Sequence, residues 1–187
     1  HSGVLASTLA MDKELSKIIF IKNKFLVPKY ISLENLSKNE IIKKLKIKNI
    51  KFPTVIKPTN EGSSLGVYIC KSLNELYTNY KKLQNYKKVI VEEYIPGREI
   101  QVAVMGNKAL GAIELVPKRK FYDYKAKYST QANTKHIMPA PINKKKYNEV
   151  LLIAKKAHKA LGCRGITRSD FRFYKNKFYL LELNTQP

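Results

Sequence analysis

The chain has 187 residues, 44% of them hydrophobic, and carries 36 Lys and Arg against 14 Asp and Glu, a formal net charge of +22. That length and apolar share suit one sizeable core or two small lobes and exclude a disordered chain. So basic a chain admits nucleic acid, a membrane surface or an acidic substrate as partners. Lysine supplies most of the charge, spread beside Ile and Asn as in IIKKLKIKNI at 41–50, which reads as a compositional bias and not as one polyanion-binding stripe.

Cys70 and Cys163 are isolated, with no CxxC pair and no His at ligand spacing. Neither a zinc site nor a disulfide framework is indicated, and a reducing, cytoplasmic setting fits. The longest apolar runs fall far short of the ~18 residues of a spanning helix, and no signal peptide is visible, so no membrane partner is expected. The chain opens at His1 without an initiator Met and stops inside LNTQP, where a strand should hand on to something. It reads as a piece of a longer protein.

In chain order, residues 2–24 carry apolar side chains at helical intervals with a break at Asp12, which can cap the helix after it. Residues 27–33 suit a short strand containing Pro28. Ser37 then opens a helix through Leu45, with Glu40 completing a capping-box pattern. A strand over 52–58, the turn-rich NEGSSLG and a return strand over 67–70 follow. A polar helix over 72–83 leads to the buried-type strand VIVEEY at 89–94. Strands over 98–105 and 109–115 are joined by Gly106 and Asn107, a hairpin signal. Residues 117–143 show little periodicity and suit a long functional loop. Tyr147, Val150, Leu151, Ala154, Ala157 and Leu161 fall on one face of a helix over 144–162 that closes on Gly162.

The last stretch, TRSDFRFYKNKFYLLELNTQP from Thr167, has two alternating runs around the polar turn Tyr174 to Lys177 and reads as a β-hairpin. With a period of two, Arg168, Asp170 and Arg172 share one face of its first strand, and Phe178, Leu180, Glu182 and Asn184 share one face of its second. A three-residue turn, or one bulge, sets Asp170 opposite Glu182 and Arg168 opposite Asn184. Like charges across a ladder repel and call for a cation between them, and an Asp, Glu and Asn oxygen cluster suits a hard ion such as Mg2+. A solvated hairpin with its carboxylates outermost has the same spacing, so spacing alone leaves both readings open.

Three further stretches carry chemistry. In KPTNEGSSLG (57–66), amides freed by Gly62 and Gly66 and the Ser63 and Ser64 hydroxyls can cradle phosphate oxygens beside Lys57, although the order differs from a Walker A loop. A glycine-rich turn with no ligand is the alternative. In EEYIPGRE (92–99), a strand end followed by Pro96 and Gly97 can offer backbone groups to an adenine edge, with Glu99 accepting from ribose hydroxyls. In FYDYKAKY (121–128), tyrosines between lysines suit either base stacking or a lid over a small anionic substrate. His136 and His158 have no partner at ligand spacing and read as packing or surface residues.

A lysine just inside a helix start, KPTNEGSSLG, EEYIPGRE, FYDYKAKY, RSDFRF and LLELNTQP, in this order, resemble the D-alanine:D-alanine ligases of the ATP-grasp superfamily across nearly the whole chain. The resemblance implies an α+β ATP-grasp fold, two α+β lobes whose antiparallel sheets sandwich ATP, with the family's N-terminal domain absent. Residues 1–10 would end that domain, 11–92 would form the central lobe and 93–187 most of the C-terminal lobe. Carried over by position, Lys13 and Lys57 match phosphate-contacting lysines, and Gly62, Ser63 and Ser64 the phosphate loop. Glu92, Glu93, Tyr94 and Ile95 match the adenine-binding strand end, and Glu99 the ribose acceptor. Asp170, Glu182 and Asn184 match ligands of two Mg2+ ions, or Mn2+ in their place, with Glu182 bridging. Arg168 resembles the arginine on the transferring phosphoryl group, Lys127 the lid lysine on the γ-phosphate, and Ser63 with Tyr128 the pair that closes the lid.

The activity implied is ATP-dependent joining of two D-alanines through an acylphosphate, for peptidoglycan precursor synthesis, by a cytoplasmic enzyme that is a homodimer in the full-length family. Ligases taking D-lactate or D-serine second are the nearest alternative, and a basic nucleic-acid-binding module is the alternative of another class. The family's first-D-alanine glutamate and its neighbouring histidine would precede His1, and the GMT segment would follow Pro187. A chain confined to these termini is therefore expected to bind ATP but to ligate little. QANTKH (131–136) also replaces a glycine and serine-rich turn common in relatives.

Overall fold

The computed structural model describes residues 1–117 and 134–187. They divide into two compact units, one made of His1–Val27 with Ile95–Pro187 and the other of Pro28–Tyr94. Residues 11–27, expected in the central lobe, therefore fall with the C-terminal one. The physical reason is apolar: Phe20 is fully buried, and Ile19, Phe25 and Val27 pack on the same core as Leu180 and Leu183. Leu180 N also donates to Leu26 O at 2.8 Å.

The chain starts with α1 (Val4–Met11) and α2 (Lys13–Lys22). Asp12 separates them in extended backbone, and its Oδ1 accepts from Glu14 N at 2.8 Å and Leu15 N at 3.0 Å. These bonds satisfy two of the amides that a helix start leaves unpaired, which suits a stabilisation of about 1 kcal/mol. The buried face of α2 is Lys13, Ser16, Lys17 and Phe20.

The second unit holds β1 (Tyr30–Leu33), α3 (Lys38–Ile47), β2 (Thr54–Pro58), β3 (Tyr68–Cys70), α4 (Leu73–Lys82) and β4 (Val89–Glu93). Ser37 and Glu40 form the capping box: Glu40 N donates to Ser37 Oγ and Ser37 N to Glu40 Oε2. The sheet is antiparallel throughout, in the order β1-β4-β2-β3. A strand flanked on both sides and covered on its faces reads as an unbroken apolar run, which is why Val89, Ile90 and Val91 are all buried. Ile31, Leu33, Ile41, Leu45, Ile56 and Leu76 complete that core.

The first unit continues with β5 (Arg98–Met105), β6 (Lys108–Val116), β7 (Lys135–Ile137), α5 (Lys144–Ala160), β8 (Ile166–Tyr174) and β9 (Lys177–Asn184). Its five strands run antiparallel in the order β7-β6-β5-β8-β9. β7 interrupts the stretch expected to be loop; all three of its residues, His136 included, are exposed, so no apolar alternation announces it. The sheet's inner face, including Ile100, Val102, Val104, Phe171 and Leu180, packs with Val150, Ala154 and Ala157 of α5. The two alanines let the helix backbone approach closely. Among the described residues no helix is long and apolar enough to cross a membrane.

His158 lies on the buried side of α5, 2% exposed, with Nδ1 2.8 Å from Thr167 Oγ1. Burial pushes its pKa down, aided by the neighbouring Lys159 charge and opposed by a backbone hydrogen bond at Cys163. A depressed folded pKa means that the unfolded chain takes up the proton first as pH falls below about 6.5. Stability is therefore complete above that pH and declines below it. Thermal melts should show the wild type losing stability relative to His158→Asn between pH 7.5 and pH 5; parallel curves for the two would contradict this role.

Candidate active site

The sheet of the first unit turns one face toward α5 and leaves the other polar. On the polar face β5 supplies Glu99 and Gln101, β8 supplies Arg168, Asp170 and Arg172, and β9 supplies Glu182 and Asn184. The ladder aligns Glu99 with Arg172, Gln101 with Asp170, Asp170 with Glu182, and Arg168 with Asn184. The turn Lys175-Asn176 has two residues in left-handed backbone, φ 46° and 61°, which pairs Tyr174 with Lys177. Left unbroken, that register would set Asp170 opposite Leu181. A bulge between Asp170 and Phe171 shifts it by one, so Asp170 meets Glu182.

The same bulge corrects the expectation that Phe178, Leu180, Glu182 and Asn184 share a face. Phe178 and Leu180 oppose Phe173 and Phe171 and are buried in the core, whereas Glu182 and Asn184 emerge on the polar side.

Asp170 is 5% exposed and both of its oxygens are held by Arg168, Nε to Oδ1 at 2.8 Å and Nη2 to Oδ2 at 3.1 Å. Burial pushes its pKa up to about 7; Arg168 works against that rise, while the Glu182 and Glu99 charges add to it. Glu182 Oε2 lies 3.7 Å from Lys13 Nζ, which α2 carries at its first residue. Asn184 Nδ2 is buried with no hydrogen-bond partner among the described residues. Two facing carboxylates and the carboxamide oxygen of Asn184 supply the all-oxygen donor set that suits a hard divalent cation. Among the described residues no three or more His, Cys, Asp or Glu are grouped so as to hold a metal ion, and this set has two carboxylates and an amide.

The acids of the polar face each meet a base. Arg172 Nη2 lies 3.2 Å from Glu99 Oε2, and its Nη1 donates to Gly97 O at 3.1 Å. On the opposite side of the sheet, that of Ile100, Arg98 makes a two-pronged contact with Glu114, at 2.6 Å from each nitrogen, and Nη2 also donates to Pro141 O at 3.0 Å. Ile95 is buried in the same unit.

In the second unit, Lys57 on β2 and Glu92 on β4 are diagonal neighbours across the ladder, Nζ to Oε2 2.9 Å, both buried. Glu93 N donates to Lys29 O and Tyr94 N to Pro53 O, while Glu93 Oε1 accepts from Lys29 N. These two amides at the strand end are thus already engaged. In the loop, Ser63, Ser64 and Gly66 have φ of 52°, 61° and 67°, whereas Gly62 does not adopt positive φ and a Cβ on it would touch nothing within 4 Å. Leu65 N and Val67 N close turn bonds on Gly62 O and Ser64 O. The loop is held by left-handed serines and Gly66, and Gly62 does not set its backbone. Lys127 and Tyr128 lie outside the described residues.

Three further features of this unit have weak local signals or none. Gln101 opposes Asp170; its signal was the β5 alternation with Glu99. Lys17 is fully buried one turn beyond Lys13 on the same helix face, a spacing of four that was available. The bond from Arg172 to Gly97 needs the β5–β8 ladder and had no local signal.

A family model described as D-ala D-ala ligase C-terminus matches residues 23–187. The chain belongs to that family. It is 60% identical over 188 residues to the D-alanine–D-alanine ligase of Pelagibacter ubique (strain HTCC1062), covering 100% of this chain and 61% of that protein. To the D-alanine–D-alanine ligase of Wolbachia pipientis wMel it is 46% identical, covering 100% and 58%. Among solved structures, the Bacillus anthracis D-alanine–D-alanine ligase complexed with ATP superposes with a TM-score of 0.81 at 27% identity, covering 100% of this chain and 58% of that one. The VanG D-Ala:D-Ser ligase from Enterococcus faecalis gives 0.86 at 30% identity, covering 100% and 55%. The chain thus shares the α+β fold with antiparallel sheets seen in these ligases, and it spans about three-fifths of the length of the curated relatives it matches.

Gly97 is needed where it stands. Its φ is +113°, and a Cβ there would run into the Phe173 carbonyl oxygen. Gly97→Ala should cost at least the ~1–3 kcal/mol of a strained backbone position, lowering the melting temperature by about 2 °C or more at roughly 2–4 °C per kcal/mol. A melt unchanged within a degree would show that the turn accommodates a side chain.

Proposed function

We propose that the protein is an ATP-dependent D-alanine:D-alanine ligase acting in peptidoglycan precursor synthesis. The observation that carries this reading is the convergence of Asp170, Glu182, Asn184, Arg168 and Lys13 on one polar patch, in a chain of this family. The Bacillus anthracis relative solved with ATP supports ATP as the nucleotide.

In the proposed reaction a D-alanine carboxylate oxygen attacks the γ-phosphorus, its O–P bond forming as the bond to the β,γ-bridging oxygen breaks and ADP leaves. The amine of a second D-alanine attacks the acylphosphate carbonyl; a C–N bond forms, the C–O bond to phosphate breaks and the amine loses a proton. The protein's task is to position groups and neutralise charge. Lys13 and Lys57 supply fixed positive charge for phosphate oxygens, with the Gly62, Ser63 and Ser64 loop beside Lys57. Glu92, Glu93, Tyr94 and Ile95 are assigned to the adenine, and Glu99 to the ribose. Arg168, planar and permanently charged, suits a phosphoryl group gaining charge. Asp170, Glu182 and Asn184 would hold two Mg2+ ions, or Mn2+, which when bound neutralise charge on the phosphoryl oxygens. Lys127 and Tyr128 complete the proposal as lid residues with Ser63. Two thiols without a disulfide support a reducing, cytoplasmic setting, and the family suggests a homodimer.

A second reading concerns only the second substrate. The likeness to the VanG D-Ala:D-Ser ligase leaves D-serine, and by extension D-lactate, as candidates for that position. Phosphate release by the intact protein with ATP, Mg2+ and D-alanine, alone or with D-serine or D-lactate, distinguishes these choices. Asp170→Asn and Glu182→Gln should each lower the rate by about a hundredfold or more, the loss expected when charge stabilisation worth several kcal/mol is removed. Wild-type rates in both variants would remove the hairpin from the mechanism.

A further inference from the structure

Arg168 and Arg172 stand two residues apart on the same face of β8, yet they serve different carboxylates. Arg168 grips Asp170, whereas Arg172 reaches Glu99 across the β5–β8 ladder and Gly97 O at the turn before it. The Glu99 and Arg172 side chains are 11% and 17% exposed, so water screens their contact little. One guanidinium thereby ties a carboxylate to the backbone of the Pro96-Gly97 turn, and Gly97 holds a backbone that a side chain would obstruct.

We propose that Arg172 is a positioning residue for nucleoside recognition: it fixes the Glu99 carboxylate, and the turn that precedes it, in the arrangement that meets the ribose hydroxyls. The proposal rests on the reading of Glu99 as ribose acceptor. A glutamate left to itself spreads over several rotamers, and ordering it at the moment of binding costs affinity. Arg172 does that ordering beforehand. A carboxylate offers about four acceptor positions, so the Arg172 contact by itself does not fill them. The planar fork of arginine suits the task because two different nitrogens serve two acceptors at once, Glu99 Oε2 and Gly97 O.

The test compares binding of ATP and of 2′,3′-dideoxy-ATP, which keeps base and triphosphate and lacks both hydroxyls, by calorimetry on the full chain in Mg2+ buffer. The wild type should prefer ATP by about tenfold or more, the range expected for hydrogen bonds to a charged acceptor. Arg172→Met and Arg172→Gln should shrink that preference about threefold or more, by weakening ATP while leaving the dideoxy analogue unchanged. Glutamine keeps a donor for Gly97 O and decides the matter where the methionine variant does not fold. In a Glu99→Gln background the Arg172→Gln effect should vanish. An unchanged preference, an equal loss for both nucleotides, or an effect that persists without Glu99 would each overturn the proposal. A wild type that binds both nucleotides equally removes Glu99 from the ribose and this inference with it, while ATP binding stands. A wild type that binds neither overturns the ATP reading as well.

Discussion

A strand alternates its side chains with a period of two, so one extra residue exchanges everything beyond it between the two faces of a sheet. β9 contains such a residue. Up to Leu180 the strand pairs apolar with apolar, placing Phe178 and Leu180 against Phe173 and Phe171 in the core. Past Leu181 it places Glu182 opposite Asp170 and Asn184 opposite Arg168, while Leu183 returns to the core side. Without the bulge Glu182 would be driven into the apolar side, at the cost of a buried charge, and its convergence with Asp170 would be lost.

The polar face this creates is electrostatically expensive. Glu99, Asp170 and Glu182 lie close enough for the charges of the other two to push the Asp170 pKa upward. Each meets a base, Arg172, Arg168 and Lys13 respectively, and each base comes from a different position on the rigid elements β8 and α2. Partly buried ion pairs of this kind add little net stability, because desolvation and solvent screening offset most of the attraction. The opposite face of the sheet does the stabilising: Ile100, Val102, Val104, Phe171 and Leu180 are fully buried, each worth about 1.5–3 kcal/mol. One face holds the fold, and the other presents charge in fixed positions.

Much of the local structure was legible because the responsible interactions are local. Asp12 and Ser37 act on amides two or three residues away, so composition alone located the starts of α2 and α3. The helical spacing of Val150, Ala154, Ala157 and Leu161 located α5, and the Gly106-Asn107 turn located the β5–β6 hairpin. β7 was not legible, since three exposed residues carry no pattern. The membership of residues 11–27 was not legible either, since their apolar side chains fit any core and only packing against β9 and its neighbours chooses one. Within the phosphate-loop candidate, composition pointed to Gly62 and Gly66 alike, whereas only Gly66 adopts left-handed backbone, together with Ser63 and Ser64.

Residue types and spacings are written in the sequence: two carboxylates and an amide on the closing strands, two lysines near helix and strand ends, and a family resemblance built on six motifs in order. The sequence leaves open by which route those carboxylates come to face each other, a three-residue turn or a bulge. It takes the folded chain to combine a two-residue turn with a bulge, to bring Lys13 of α2 to Glu182, and to join Arg172 to Glu99 and Gly97. The reason is one of range. Caps and turns are set by neighbours in sequence, whereas register and ion pairing across strands are set by which apolar side chains must be buried together, a choice made by the whole core at once.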